Sequence, residues 1–140
     1  MSSKTHFRIS LGIILGALII GAMVLAIPHS GAAQDIRSVS PADFSADLQQ
    51  PSIHLIDLRT AQEYASGHLA DASNIDFYGA DFRSQLAALD KNATYAIYCH
   101  TGNRSGQTVD IMRQMGFTHV INLQGGIAAW ELAQLPITTN

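Results

Sequence analysis

The sequence has 140 residues, of which 47% are hydrophobic and 14% are charged, and its formal net charge is −3. This length provides one domain of ordinary size and excludes two, and a single cysteine excludes an internal disulfide. Beyond residue 35 the chain carries six Lys and Arg residues against ten Asp and Glu residues, which excludes a basic surface for nucleic acid.

An uncharged apolar stretch occupies residues 9–27, and Lys4 and Arg8 precede it. About 17–25 apolar residues cross the hydrocarbon layer, so the stretch predicts a single-pass membrane anchor or, as the alternative, a signal peptide cleaved in the sequence SGAAQD. The preceding basic residues predict a cytoplasmic N-terminus and export of the rest of the chain. We interpret residues 1–35 as n-region, hydrophobic segment and linker. Residues 36–140 are then a domain on the extracytoplasmic (periplasmic) side of the cell membrane, or secreted after cleavage.

The first half of this domain alternates between helix and strand signals. Ser40 has the features of a helix N-cap, and a helix is predicted over residues 41–49. The run SIHLIDL predicts a strand. Thr60 and Glu63 have the spacing of a capping box, which starts a short helix that Gly67 ends. The sequence ASNID then predicts a brief strand.

The second half continues the alternation. A helix is predicted over residues 81–89, and TYAIYC predicts the next strand. A longer helix is predicted over residues 105–115, with Gly116 after its end, and HVINL predicts the last strand. The final helix follows the Gly-Gly pair at 125–126 and carries Trp130, which we interpret as a core residue. Strands and helices at these intervals predict a mostly parallel sheet covered on both faces.

The only cysteine, Cys99, stands where the strand TYAIYC ends and a loop leads into a helix. In parallel sheets, ligands bind at the carboxyl ends of the strands. The unpaired N–H groups of a helix N-terminus favour negative charge and lower the pKa of a nearby thiol. Gly102 lets the loop amides turn inward, and Arg104 adds a positive charge. This pattern favours a reactive thiolate beside a small oxyanion or sulfur species over a cysteine that serves only in packing.

Three segments resemble the rhodanese-like sulfurtransferases. The first is Cys-x-x-Gly-x-Arg after a strand, and the second is DLRTAQEYASGHLADASNI, residues 57–75, which is similar to the family's N-terminal signature. The third is INLQGGIAAWELAQLPI, residues 121–137, which resembles the family's closing Gly-Gly-x-x-x-Trp segment. The resemblance spans about residues 36–138. It implies a rhodanese-like α/β fold, with a five-stranded, mostly parallel sheet flanked by helices, and catalysis through a cysteine persulfide.

The resemblance also implies roles for individual residues. Cys99 is expected to be the catalytic residue that accepts sulfur. The rest of its loop is expected to bind substrate: His100, Thr101, Gly102, Asn103, Arg104 and Ser105. Four other residues are interpreted as structural support, because charges at strand ends and in first turns commonly brace loops: Asp57, Arg59, Glu63 and His68.

The chain departs from the family pattern at two positions. Many members have a basic residue directly after the cysteine, where this chain has His100, so the preference for an anionic donor stays open. Asp71 stands where glycine is frequent, a change expected to affect loop geometry. Cys99 and Arg104 enclose four residues, whereas phosphatases related to the rhodaneses have one more. The shorter loop favours sulfur transfer over hydrolysis of phosphate esters.

These observations predict a sulfurtransferase that moves sulfur from a donor such as thiosulfate to a thiol or cyanide acceptor. Arg104 is expected to orient the donor's oxyanion through two hydrogen bonds. One alternative is a non-catalytic module of the cell envelope that carries sulfur or binds a partner protein, and another is thiol exchange at Cys99. We expect no cofactor, no nucleic-acid partner and no metal site, because the histidines are scattered along the chain. The sequence does not determine the oligomeric state.

Overall fold

Strands and helices alternate along residues 33–139, the part of the chain that the computed structural model describes. In chain order these elements are β1 (Asp35–Val39), α1 (Pro41–Asp47), β2 (Ile53–Asp57), α2 (Ala61–Ala65), β3 (Ser73–Asn74), α3 (Phe82–Ala88), β4 (Thr94–Tyr98), α4 (Asn103–Gln114), β5 (His119–Leu123) and α5 (Gly126–Leu132). The strands form one sheet in the order β1-β5-β4-β2-β3. Every pairing between them is parallel.

The sheet order places β4 in the centre, between β2 and β5. In the parallel register Asp57 lies opposite Tyr98, and Asn122 lies opposite Ile97. The chain positions that follow β2, β4 and β5 therefore emerge at one edge of the sheet, where ligands bind in folds of this kind. Cys99 directly follows β4 and so lies at the middle of this edge.

Two apolar layers cover the sheet, because side chains along a strand alternate between its faces. On β4, Tyr95 and Ile97 join the layer that contains the buried side chains of α3 and α4. Ala96 and Tyr98 join the opposite layer, which contains Phe44 of α1 and the buried residues of α5. A central strand that is buried on both faces explains the continuous apolar run in the sequence.

Most of the predicted elements are confirmed. β5 spans the whole HVINL run, and the capping box at Thr60 and Glu63 is present with both of its hydrogen bonds. Trp130 is buried as predicted. The helix predicted from Ser105 begins earlier, at Asn103, because Gly102 (φ +96°) turns the chain directly into α4.

One strand was not found in the sequence pattern. β1 has the sequence DIRSV, and its residues are partly exposed or exposed. It lies at the edge of the sheet and pairs only with β5, from Asp35 opposite His119 to Val39 opposite Leu123. A charged edge strand lacks the apolar signal of a buried one, since only one of its sides is paired.

The predicted hydrophobic segment, residues 9–27, lies outside the described residues. Among residues 33–139, no helix has both the length and the apolar character needed to cross a bilayer.

Asp71 adopts a left-handed backbone conformation, with φ of +63°. Glycine enters this region freely, and aspartate is one of the few other residues that visit it routinely. The departure from glycine at this position therefore leaves the turn before β3 intact.

Candidate active site

The Cys99 side chain lies at the base of the loop between β4 and α4. The residue is only 1% exposed, and the Gly102 amide donates a hydrogen bond to its sulfur over 3.1 Å. Gly102 has a φ of +96°, a conformation that favours glycine and that turns this amide back toward the sulfur. The loop therefore forms an inward-facing set of donors around one sulfur atom.

The environment of Cys99 makes the thiolate form more favourable. Burial by itself raises the pKa of the thiol, but hydrogen bonds from the amide and hydroxyl of Ser105, and from the amides of Gly102 and Thr101, outweigh burial. The net result is a pKa below the ordinary value for cysteine. A larger thiolate fraction near neutral pH makes Cys99 a better nucleophile.

The first turn of α5 holds the cysteine loop from the opposite side. The Ile127 amide donates to the Cys99 carbonyl over 2.8 Å, and the Ala128 amide donates to the His100 carbonyl over 3.0 Å. This approach needs glycine at position 126, because a Cβ atom there would lie 2.5 Å from the Cys99 carbonyl oxygen. These two hydrogen bonds hold the start of the cysteine loop against α5.

Arg104 and Glu63 connect the two helices that begin beside the loop. Both terminal nitrogens of Arg104 donate to the Glu63 carboxylate, each over 2.8 Å. These hydrogen bonds lower the pKa of Glu63 to about 2, against the effect of its partial burial. Each terminal nitrogen uses one N–H group on Glu63, and a guanidinium carries five N–H donors, so the expected binding of a donor anion by Arg104 stays a prediction. The ion pair anchors the start of α4 to the start of α2.

Asp57 and Arg59 form a second ion pair, buried beneath this edge of the sheet. Arg59 Nη2 lies 2.7 Å from Asp57 Oδ2 and also donates to the Gly67 carbonyl over 2.6 Å. A buried pair of this kind needs its remaining donors and acceptors satisfied. The pair fixes the loop between β2 and α2 to the turn after α2.

His68 braces the turn after α2. Its ring lies 3.8 Å from the Tyr64 ring in a stacked arrangement, and its Nδ1 lies 3.0 Å from the Tyr64 carbonyl oxygen. Its backbone amide donates to the carbonyl of Thr138 over 2.9 Å. His68 therefore ties α2 to the C-terminal segment.

The other predicted loop residues occupy two different positions. His100, Thr101 and Asn103 are exposed at the mouth of the site, whereas Ser105 is fully buried beneath it. Within residues 33–139, no group of three or more His, Cys, Asp or Glu residues is arranged to hold a metal ion. The reactive groups that this arrangement supplies are the sulfur of Cys99 and the backbone amides around it.

Sequence reasoning missed two contacts of the site. Glu63 was interpreted as a helix cap, and its pairing with Arg104 joins positions 41 residues apart. The Gly-Gly pair at 125–126 was interpreted only as the start of a helix, although it allows α5 to approach the cysteine loop. The two glycines were the available signal, because a helix start does not by itself require a pair of them.

Fold and site together define a parallel α/β domain with a buried cysteine of lowered pKa at the carboxyl end of its central strand. A model of the Rhodanese-like domain family matches residues 40–133. The chain therefore belongs to the rhodanese-like domain family.

Curated relatives and solved structures agree with this assignment. The chain is similar to the thiosulfate sulfurtransferase PspE of Escherichia coli (strain K12), with 40% identity over 72 residues, covering 51% of this chain and 69% of the relative. A sulfurtransferase of Allochromatium vinosum is 35% identical over 103 residues, covering 74% of this chain and 92% of the relative. The crystal structure of a rhodanese-related protein from Thermoplasma volcanium superposes with a TM-score of 0.66 at 27% identity, covering 74% of this chain and 99% of that chain.

Proposed function

We propose that this protein is a sulfurtransferase that moves sulfur from a small donor such as thiosulfate to a thiol or cyanide acceptor through a persulfide on Cys99. The observation that carries the proposal is the hydrogen bond from Gly102 to the Cys99 sulfur, together with the lowered pKa of that thiol. The sulfurtransferase relatives, which share the family and cover most of the domain, support the same reaction class.

In the first step the Cys99 thiolate attacks the outer sulfur of thiosulfate. A bond forms between the two sulfur atoms, and the bond from the outer sulfur to the sulfonate sulfur breaks, so that sulfite leaves with the electron pair. The product is a Cys99 persulfide, whose outer sulfur carries the negative charge. In this proposal the loop amides stabilise that charge, because fixed amides need no reorganisation during the reaction.

In the second step an acceptor thiolate or cyanide attacks the outer sulfur of the persulfide. The new bond joins acceptor and outer sulfur, while the bond to the Cys99 sulfur breaks and its electron pair returns to Cys99 as thiolate. The two displacements together restore the enzyme without an external oxidant or reductant. A covalent intermediate of this kind divides one difficult transfer into two easier ones.

The proposal is tested by incubating the reduced, purified full-length chain with thiosulfate and recording its intact mass. We expect one added sulfur atom, which cyanide removes and which Cys99→Ser does not acquire. Steady-state transfer from thiosulfate to cyanide, abolished by the same substitution, identifies an enzyme. An adduct without turnover would instead identify a sulfur-carrying module, and no adduct would contradict the proposal.

We also propose that the domain acts on the outer side of the cytoplasmic membrane. The support comes from the sequence, in which the apolar residues 9–27 follow Lys4 and Arg8. Fractionation of cells that express a C-terminally tagged chain tests the location. Retention in the membrane after a high-salt wash supports an anchor, release into the periplasm supports cleavage, and recovery in the cytoplasm contradicts export.

A further inference from the structure

An exposed aromatic ring lies beside the cysteine loop without a role in the reaction described above. Tyr78 is 70% exposed and is one of three large apolar side chains exposed within residues 33–139, with Leu132 and Ile137. Tyr78 follows β3, in a segment whose preceding residue, Phe77, donates its amide to the carbonyl of Leu58. Leu58 directly follows β2, so Tyr78 lies at the same edge of the sheet as Cys99.

The structure holds Tyr78 in place even though its ring faces solvent. Its backbone amide donates to Asp76 Oδ1 over 2.9 Å, which forms a tight turn. The Tyr78 ring also packs edge-to-face against Phe77, with ring centroids 5.3 Å apart. An aromatic side chain held in this way loses little further conformational entropy when a ligand binds to it.

The Tyr78 ring contacts Arg104, which lies at the start of α4 beside the cysteine loop. The guanidinium carbon of Arg104 lies 5.6 Å from the centroid of the Tyr78 ring, within the range of a cation–π contact. Arg104 is the second residue of α4, the helix into which the cysteine loop leads. The exposed Tyr78 ring thus lies beside the first turn of the helix that follows the cysteine loop.

The guanidinium group beside the Tyr78 ring and the one buried beneath the sheet edge are both neutralised by carboxylates. Arg104 is paired with Glu63 and Arg59 with Asp57, so their charges are balanced within the structure. Selection between sulfur acceptors therefore depends less on these side-chain charges and more on the apolar surface that the mouth presents. Tyr78 supplies the exposed aromatic part of that surface.

We propose that Tyr78 is a specificity residue that binds the organic substituent of the acceptor, so that the site prefers thiols carrying an aromatic or apolar group. This inference rests on the proposed sulfurtransferase function. The ring takes no part in bond making. The acceptor thiolate forms its bond to the outer persulfide sulfur, the electron pair returns to the Cys99 sulfur, and Tyr78 positions only the carbon part of the acceptor.

The experiment loads the full-length protein with thiosulfate and then follows the single-turnover loss of the persulfide to thiophenol or to cyanide. Tyr78→Ala is expected to lower the second-order rate constant with thiophenol about three- to tenfold, the range of an aromatic contact. It should leave the rate with cyanide unchanged, because cyanide has no group that reaches the ring. Tyr78→Phe keeps the ring and should retain the rate with thiophenol.

Leu132→Ala is the matched control, since Leu132 is 86% exposed and ends α5 at the opposite end from the cysteine loop. It should change neither rate. Equal losses with both acceptors in Tyr78→Ala would assign the residue a structural role and overturn the inference, as would an unchanged rate with thiophenol. Failure of the wild-type protein to load any sulfur would overturn the proposed function itself, and is seen before any acceptor is added.

Discussion

Replacement of Gly126 by alanine tests whether the close approach of α5 positions Cys99. A Cβ atom at position 126 would lie 2.5 Å from the Cys99 carbonyl oxygen and 2.6 Å from the His100 carbonyl carbon, and it would also meet the His100 carbonyl oxygen. Real Cβ contacts do not fall below 3.0 Å, so the backbone must shift by at least 0.5 Å to relieve the first of these contacts. No flexible side chain is available to yield, because all of these neighbours are backbone atoms.

Two effects add up in Gly126→Ala. The φ of +62° at this position costs an alanine about 1–2 kcal/mol. The shift also weakens the hydrogen bonds from Ile127 and Ala128 to the loop carbonyls, each worth roughly 0.5–1.5 kcal/mol. Alanine also has less conformational entropy than glycine in the unfolded chain, which offsets about 0.4–1 kcal/mol of this destabilisation. We therefore expect the free energy of unfolding to fall by about 2–4 kcal/mol.

The effect on reactivity follows from the same displacement. A misplacement near 1 Å can cost about 10²-fold in rate, so a shift of about half that size should slow persulfide formation roughly tenfold. Urea denaturation measures the stability, and the rate of mass gain with thiosulfate measures the chemistry. Gly106→Ala is the control, because no atom outside its own stretch of α4 lies within 4 Å of a Cβ at that position, and helix propensity predicts a gain of about 0.5–1 kcal/mol. If Gly126→Ala matches wild type in both assays, the α5 contact does not position the loop.

Two further predictions concern titratable groups. The folded-state pKa of Glu63 is about 2, below its ordinary 4.5, so its stabilising effect is complete above pH 4.5 and is lost as the pH falls toward 2. In urea denaturation Glu63→Gln should therefore be less stable than wild type near neutral pH, and the difference should shrink over that acidic range; a constant difference would contradict the assignment. Ser105→Ala removes a hydroxyl that lowers the pKa of Cys99, so the midpoint of the thiolate ultraviolet absorbance should move to higher pH. An unchanged midpoint would show that the backbone amides alone stabilise the thiolate.

The sequence predicted those strands and helices whose formation depends on residues close together in the chain. The apolar runs of β4 and β5 and the capping box at Thr60 were recognised because a buried strand and a helix start each leave a short pattern in the sequence. The strand β1 left no such pattern, since it is held by pairing with β5, more than 80 residues away in the chain. The position of β1 is set only once β5 is in the sheet and can pair with it.

In the candidate site, too, features set by neighbouring residues could be predicted, whereas contacts between distant residues could not. The position of Cys99 between a strand and a helix could be predicted, because the loop and the first turn of α4 are continuous in sequence. The partner of Arg104 could not be predicted, since Glu63 already had a local role as a helix cap and only the sheet order brings α2 beside α4. A partner 41 residues away leaves no local pattern in the sequence, so the sequence could assign only a substrate role to the guanidinium, and that role stays a prediction.

The depth of the Cys99 sulfur bears on how the enzyme survives oxidants. With the residue only 1% exposed, a bulky electrophile cannot reach the resting thiolate, and oxidation beyond the sulfenic acid requires repeated access to the same atom. In the proposed reaction, sulfur loading lengthens the side chain by one S–S bond, about 2.05 Å. The loop therefore acts as a size filter that admits a small sulfur donor and shields the buried thiol from larger electrophiles.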